Sequence, residues 1–191
     1  MAERHVWIPM ADGVRLAASL HLPDTADPCP VLLEALPYRK GDVTAGDREY
    51  QRLTGEHGDA VAGVDLRGTD SSEGVAADEY PPQEQADLRQ VIDRLAAQPW
   101  STGAVGTYGT SYSGFNSLQV AAERPPALKA IVAIYASDDR YTDDVHYVGG
   151  ALRLLDLVDY PLYMVALNAL PPAPDQRGWP VAAGAPGRSP R

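Results

Sequence analysis

The stretch Ala104-Val-Gly-Thr-Tyr-Gly-Thr-Ser-Tyr-Ser-Gly114 is an apolar run that leads directly into a turn rich in glycine and serine. The residues that follow, about 113–123, predict a helix. A buried strand that turns at once into a helix is the setting of a nucleophile elbow, in which a strained turn exposes a hydroxyl group. Ser111 is therefore the candidate nucleophile, and Gly109 and Gly114 leave room for the turn.

The elbow pattern departs from the strict G-x-S-x-G form, because Ser113 stands two residues after Ser111 and the glycine comes one position later. The elbow needs a small residue two positions after the nucleophile, because the turn is crowded there. If Ser113 were the nucleophile, Phe115 would occupy that position, so Ser111 is favoured. A Ser/Gly-rich turn of a nucleotide-binding α/β protein is the alternative interpretation. The sequence contains neither G-x-G-x-x-G nor a P-loop with its lysine, the usual phosphate-binding patterns.

The surrounding pattern predicts an α/β fold. Residues 6–22 predict a hairpin around the Asp12-Gly13 turn, because glycine accepts the positive φ that such a turn needs. Short apolar runs typical of parallel strands buried on both faces follow at residues 31–36, 60–66, 104–108 and 130–135. Between the second and third runs, one apolar helical face is formed by Leu88, Val91, Ile92, Leu95 and Ala96, and Pro99 ends that helix.

Composition excludes several classes of partner. The chain of 191 residues carries a net charge of −10, which repels phosphate backbones and anionic lipid headgroups, so we expect neither nucleic-acid nor membrane binding. Cys29 is the one cysteine and cannot form an internal disulfide. No apolar stretch of signal-peptide or membrane-spanning length is present. These features predict a soluble protein of the cytoplasm.

Five stretches, in this order and spacing, resemble the CocE/NonD hydrolases, the cocaine-esterase-like and Xaa-Pro dipeptidyl-peptidase-like enzymes. The resemblance runs from about residue 5 to about residue 160 and implies an α/β-hydrolase fold. The five stretches are Met10-Ala-Asp-Gly-Val-Arg-Leu-Ala17, Leu36-Pro-Tyr-Arg-Lys40, Val64-Asp-Leu-Arg-Gly68, Gln98-Pro-Trp-Ser-Thr-Gly103 and Gly109-Thr-Ser-Tyr-Ser-Gly114.

The resemblance implies that Ser111 attacks an ester or amide carbonyl and that the backbone N–H of Tyr112 and the hydroxyl of Tyr38 hold the oxyanion. A phenol is protonated at neutral pH and can donate to that oxygen; a purely structural Tyr38 is the alternative. A small ester, an amide or a short peptide is the implied substrate, with no metal or organic cofactor. Asp70 stands where the family leads us to expect glycine, and Asp59 where relatives usually carry an aromatic residue, so we expect local strain.

The catalytic acid and histidine of α/β-hydrolases follow the serine in the chain. Here His146 is the one histidine after Ser111, in a segment that resembles the entry to the family's helical cap, so we favour a cap role over catalysis. Four nearby aspartates could suggest a divalent-cation site, yet they fit no calcium-loop spacing, and helix capping with solvation is favoured. These aspartates are Asp138, Asp139, Asp143 and Asp144.

Three segments are predicted: residues 1–137 as the N-terminal part of the hydrolase domain, 138–170 as the start of a helical cap, and 171–191 as a disordered or frame-shifted tail. The last segment contains six Pro, three Gly and four Ala, too few large apolar residues to form a core. We therefore expect a C-terminally truncated serine hydrolase, of the esterase or Xaa-Pro dipeptidyl-peptidase type, that is weak or inactive in this form. The alternative is a non-catalytic remnant with at most a binding role.

Overall fold

A six-stranded sheet forms the centre of the structure, a computed structural model that describes residues 2–41 and 47–171. Its strands are β1 (Ala2–Pro9), β2 (Arg15–Leu22), β3 (Cys29–Leu36), β4 (Ala60–Asp65), β5 (Ser101–Thr110) and β6 (Leu128–Ile134). They lie in the order β1-β2-β4-β3-β5-β6, and β3 to β6 are mutually parallel. The α/β fold class and the presence of four parallel strands at the predicted places are confirmed.

The predicted N-terminal hairpin is also confirmed. Strands β1 and β2 pair antiparallel, with Pro9 opposite Arg15, and β2 continues the sheet by pairing antiparallel with β4. Gly13 closes the turn with a φ of 88°, and its N–H donates to the carbonyl of Met10 at 3.0 Å. An L-residue with a side chain is strained at that φ, which explains why the Asp-Gly pair marks the turn.

Within the described residues, four helices accompany the sheet, together with a short hairpin of β7 (Tyr147–Val148) and β8 (Ala151–Leu152). The helices are α1 (Asp47–His57), α2 (Pro82–Ala96), α3 (Tyr112–Ala122) and α4 (Leu154–Ala169). Helix α1 was not predicted, because its sequence is strongly polar. The positions that could have indicated it are Tyr50 and Thr54, which are one helical turn apart and both buried.

The core lies between the parallel strands and helices α2 and α3. Strand β4 is buried at all six positions, as a central strand covered on both faces should be. The apolar face predicted for α2 packs into this core, where Val91 and Ile92 are fully buried. The helix begins at Pro82, six residues before the predicted face, because proline fits the first helical turn without losing a hydrogen bond.

The prediction that residues 130–135 form a strand buried on both faces is wrong for β6. Val132 and Ile134 are 55% and 42% exposed. The reason is position: β6 lies at the edge of the sheet, and α3 covers one of its faces. Helix α4 contains no fully buried residue, and Leu155 is 80% exposed, although Tyr160 packs against the core.

None of the helices in residues 2–41 and 47–171 combines the length and apolar composition that crossing a bilayer requires. The predicted tail, residues 171–191, lies outside the described residues except for Pro171, and its proposed disorder stays a prediction. The predicted boundary between a hydrolase segment and a cap at residues 137 and 138 also stays a prediction.

Candidate active site

Ser111 occupies the single position between the last residue of β5 and the first residue of α3. Its backbone has φ 59° and ψ −117°, a conformation that residues with a side chain rarely adopt. Two backbone hydrogen bonds hold the turn. The N–H of Ser111 donates to the carbonyl oxygen of Ile134 at 2.8 Å, and the N–H of Phe115 donates to the carbonyl oxygen of Ser111 at 2.9 Å. A strained strand-to-helix turn of this kind is the geometry that a nucleophile elbow requires.

Two glycines make this turn possible by allowing close backbone approach. A Cβ on Gly109 would lie 2.0 Å from the Cβ of Ser113, far inside the contact distance of two carbon atoms. A Cβ on Gly114 would lie 2.9 Å from the carbonyl oxygen of Ile134 and 3.1 Å from that of Gly109. The predicted need for small residues at positions 109 and 114 is confirmed by these distances.

Tyr112 is the first residue of α3, and the first N–H groups of a helix have no carbonyl partner within it. Its side chain is buried, with the hydroxyl donating to Glu84 Oε2 at 2.8 Å and accepting from the N–H of Tyr80 at 3.1 Å. The rings of Tyr112 and Tyr80 stack with centroids 4.1 Å apart. These contacts fix the residue whose backbone N–H is the candidate oxyanion donor.

Tyr38 follows β3 and reaches the elbow from the neighbouring strand. Its ring lies edge-on to that of Tyr112, with centroids 6.2 Å apart, and its hydroxyl is 3.3 Å from the hydroxyl of Tyr160. Burial raises the pKa of Tyr38, while hydrogen bonds to Tyr160 and Ser111 oppose the rise. The phenol is therefore protonated at neutral pH and able to donate a hydrogen bond beside Ser111.

Ser111 and Tyr38 line one small cavity of about 60 Å³, which we call the Ser111 cavity. Its wall also contains charged and aromatic side chains that the sequence reasoning did not assign to the site. They are Glu79, Tyr80, Phe115, Arg140, Asp144 and Tyr160. A possible signal was the crowding of tyrosine and proline at residues 80–82, immediately before a predicted helix.

His146 belongs to the wall of the same cavity. Its Nε2 lies 3.0 Å from Glu79 Oε2, and its ring centroid is 6.0 Å from that of Tyr160. Its Nδ1 is buried and has no hydrogen-bond partner among the described residues. The structure thus brings His146 close to Ser111 but pairs it with a carboxylate rather than with the serine hydroxyl.

The nearby aspartates have different roles from one another. Asp139 accepts hydrogen bonds from the N–H groups of Tyr141 and Thr142 at 3.2 and 3.0 Å and so closes a turn. No helix begins there, so the predicted helix capping is wrong for Asp139. Asp144 was expected to be solvated, and this is wrong: it is 8% exposed and pairs with Arg140 at 3.2 Å. Arg140 in turn stacks on the aromatic wall of the Ser111 cavity.

A larger open groove, of about 820 Å³, lies beside the Ser111 cavity and shares Tyr160 and His146 with it. Its lining is mostly apolar and comes from the segments around residues 66–84 and from α4. Examples of that lining are Pro37, Leu66, Val75, Leu157, Pro161 and Met164. The groove offers an apolar surface next to the candidate nucleophile.

A mostly parallel sheet with helices on its faces and a strained serine at a strand-to-helix turn defines the α/β-hydrolase class. Residues 12–183 match the family described as X-Pro dipeptidyl-peptidase (S15 family). The chain belongs to this family, in agreement with the resemblance to CocE/NonD hydrolases.

Known proteins similar to this chain are consistent with that assignment. Cocaine esterase of Rhodococcus sp. is 38% identical over 160 residues, which cover 82% of this chain and 27% of the esterase. An aminopeptidase from a marine-sediment Thaumarchaeota archaeon superposes with a TM-score of 0.70 at 25% identity, over 85% of this chain and 30% of the aminopeptidase. A CocE/NonD family hydrolase from Staphylococcus aureus superposes with a TM-score of 0.63 at 26% identity, over 73% of this chain and 28% of that hydrolase. The chain spans about a quarter of the length of the esterase.

Proposed function

We propose that this chain carries the nucleophile and oxyanion-binding half of a serine hydrolase that acts on an ester, an amide or a short peptide through an acyl-enzyme. The observation that carries the proposal is Ser111, held at φ 59° between β5 and α3 in the same cavity as the Tyr38 hydroxyl. Membership of the S15 family supports the same chemistry. The apolar groove beside the cavity fits a hydrophobic acyl or leaving group.

In the proposed reaction, Ser111 Oγ attacks the carbonyl carbon and loses its proton to a base, and the carbonyl oxygen becomes an oxyanion. The N–H of Tyr112 and the hydroxyl of Tyr38 donate hydrogen bonds to that oxygen, where negative charge develops only in the transition state. Collapse of the tetrahedral intermediate expels the alcohol or amine, which takes up a proton, and leaves the acyl group on Ser111. Water then attacks the carbonyl carbon of the acyl-enzyme in the same way, which releases the carboxylic acid and restores the hydroxyl of Ser111.

The identity of the base decides how fast the chain works. His146 is paired with Glu79 in the structure, so we keep the expected cap role for His146. A serine hydroxyl without an adjacent base is a weak nucleophile, and removal of triad members in a serine hydrolase costs about 10⁶ in kcat. We therefore expect slow hydrolysis, in the range of ~10³ to 10⁴ over water that oxyanion donors and binding alone can supply.

The test compares turnover of p-nitrophenyl acetate and labelling by a fluorophosphonate for the 191-residue chain and three variants. Ser111→Ala is expected to abolish labelling, while the slow turnover that oxyanion donors and binding alone supply remains. Ser113→Ala is the matched control, because Ser113 is the neighbouring buried serine of the same turn. His146→Ala is expected to leave the slow rate unchanged. Rapid turnover lost in His146→Ala would instead make His146 the base.

Labelling that persists in Ser111→Ala would contradict the assignment of the nucleophile. Absence of any Ser111-dependent labelling, in a chain shown to be folded by circular dichroism, would favour the alternative of a non-catalytic binding protein. Labelling that depends on Ser111 therefore separates a serine hydrolase from a non-catalytic binding protein.

A further inference from the structure

Two buried ion pairs hold the chain immediately after Tyr38. Arg39 Nη1 lies 3.0 Å from Asp70 Oδ1, and Lys40 Nζ lies 3.5 Å from Asp65 Oδ2. The side chains of Lys40 and Asp65 are completely buried, and those of Arg39 and Asp70 are 8% and 1% exposed. We call these four residues, Arg39, Lys40, Asp65 and Asp70, the charged clamp.

Backbone contacts show that the clamp holds the main chain after Tyr38 as well as the charged side chains. The N–H of Lys40 donates to Asp65 Oδ1 at 2.7 Å, so one carboxylate holds both the main chain and the side chain of that residue. Arg39 has a φ of 69°, which turns the chain sharply after Tyr38. Arg39 Nη2 also donates to the carbonyl of Pro171 at 2.7 Å, just beyond the end of α4.

Asp70 itself is strained. Its φ is 39°, in the region that favours glycine, and a glycine is what the family resemblance predicts at this position. The expected strain in this loop is therefore present, and it coincides with a carboxylate that meets Arg39. Burial raises the pKa of Asp65, with the carboxylate of Asp70 adding to the rise and Lys40 opposing it. Asp65 is thus held in an environment that is unfavourable for charge without its cation, Lys40.

Buried ion pairs are weak contributors to net stability, because desolvation offsets most of their attraction, but each pair strictly limits where its partners can lie. Here both cations directly follow the candidate oxyanion donor, and both acids come from β4 and the loop after it. We propose that the charged clamp is a set of positioning residues that holds the Tyr38 hydroxyl at the point where it meets the oxyanion beside Ser111. This inference rests on the function proposed above.

The Ser111 cavity is lined by Tyr38 and by none of the four clamp residues, so the proposed effect of the clamp passes through Tyr38. Misplacing a reacting or stabilising group by about 1 Å can cost about 10²-fold in rate. We expect Asp70→Asn to release Arg39 and slow acylation of Ser111 at least ~10-fold, with the full loss of the Tyr38 hydroxyl, ~10² to 10³, as the limit. Substrate binding before the reaction should change much less, because the oxyanion forms only once Ser111 has attacked the carbonyl carbon.

A double-mutant cycle with Tyr38→Phe separates positioning from general destabilisation. The measured quantity is the rate of Ser111 labelling by a fluorophosphonate, for Asp70→Asn in the unsubstituted chain and in the Tyr38→Phe chain. Asp87→Asn is the matched control, because Asp87 is 2% exposed at its side chain and pairs with Arg67 at 2.7 Å, an ion pair that includes no residue of the clamp. Arg39→Lys, which keeps the positive charge, is a second variant in case Asp70→Asn does not fold.

We expect Asp70→Asn to slow the labelling of Ser111 by ~10-fold or more in the unsubstituted chain. In the Tyr38→Phe chain it should slow labelling by less than ~2-fold, since a hydroxyl that is already absent cannot be misplaced. The Asp87→Asn chain should label within ~2-fold of normal. Equal slowing in both backgrounds, or no slowing, would overturn the positioning role, and the Arg39→Lys cycle is read in the same way. If Tyr38→Phe alone leaves labelling unchanged, or if Ser111 is never labelled, the proposed function fails, and the clamp proposal fails with it.

Discussion

Gly109→Ala tests how closely the elbow is packed. The added Cβ would lie 2.0 Å from Cβ of Ser113 and 3.0 Å from its backbone carbonyl carbon. Carbon atoms in contact normally lie about 3.5 to 4.0 Å apart, so α3 must move away from β5 by more than ~1 Å. Overpacking of this kind usually costs 1 to 3 kcal/mol, and a clash with the first turn of a helix belongs at the upper end. We expect a loss of ~3 kcal/mol or more in the free energy of unfolding.

Gly106→Ala is the control, because Gly106 lies three residues earlier in the same strand. Its added Cβ would meet Leu32 Cδ2 at 3.3 Å, a flexible side-chain end that can yield. Replacing a strand glycine by alanine also gains about 0.5 to 1 kcal/mol of backbone entropy, so we expect a net change within ~1 kcal/mol.

Urea denaturation followed by circular dichroism measures both variants, and fluorophosphonate labelling reports Ser111. Gly109→Ala should lower the denaturation midpoint clearly and reduce labelling by ~10² or more, because the nucleophile is displaced. Equal midpoints and equal labelling for Gly109→Ala and Gly106→Ala would show that the turn is not close-packed, and would remove the structural basis for Ser111 as an elbow serine.

Three further predictions concern the surroundings of the elbow. Tyr38→Phe should lower the rate of Ser111 acylation ~10² to 10³-fold with little effect on stability, as measured by labelling kinetics; an unchanged rate would remove the hydroxyl from the oxyanion site. Burial raises the pKa of Glu84 to about 7 from its usual 4.5, so the unsubstituted chain should lose stability, ~3 kcal/mol in all, as pH rises from about 4.5 through 7. Glu84→Gln should reduce that slope in urea titrations at several pH values, and Asp65, whose pKa burial also raises, accounts for the part that remains; an unchanged slope would assign it to another group. Asp70→Gly should relieve up to ~1 kcal/mol of backbone strain but remove the carboxylate that faces the buried charge of Arg39, at a cost of about 3 to 5 kcal/mol, a net loss of ~2 to 4 kcal/mol; a more stable variant would contradict the importance of the ion pair.

Features that depend on residues close together in the chain could be predicted from the sequence. The hairpin at Gly13, the parallel strands and the elbow all follow from local patterns, because hydrophobic period and turn chemistry act over a few residues. The crowding of Gly109, Ser113 and Gly114 is of this kind, since these residues lie within one turn of each other. The role of Tyr38 came from resemblance to a family and not from any local pattern.

Polar helices and edge strands were harder to predict. Helix α1 has few apolar residues, so its period is weak, and its packing is visible mainly at Tyr50. Strand β6 has the apolar composition of a central strand, but its burial depends on which neighbours it has in the sheet. Composition sets the type of element, while neighbouring elements set its exposure.

The remaining features of the site depend on the parallel order of the strands. Tyr38, Asp65 and Ser111 follow or end β3, β4 and β5, and the carboxyl ends of parallel strands meet at one edge of the sheet. The pairing of Arg39 with Asp70, and the approach of His146 to Glu79 across 67 positions, arise from that convergence. Local sequence patterns therefore sufficed for the turn that strains the serine. The charges and aromatic rings around it could be found only in the folded structure, because interactions between residues distant in the chain leave no periodic signal in the sequence.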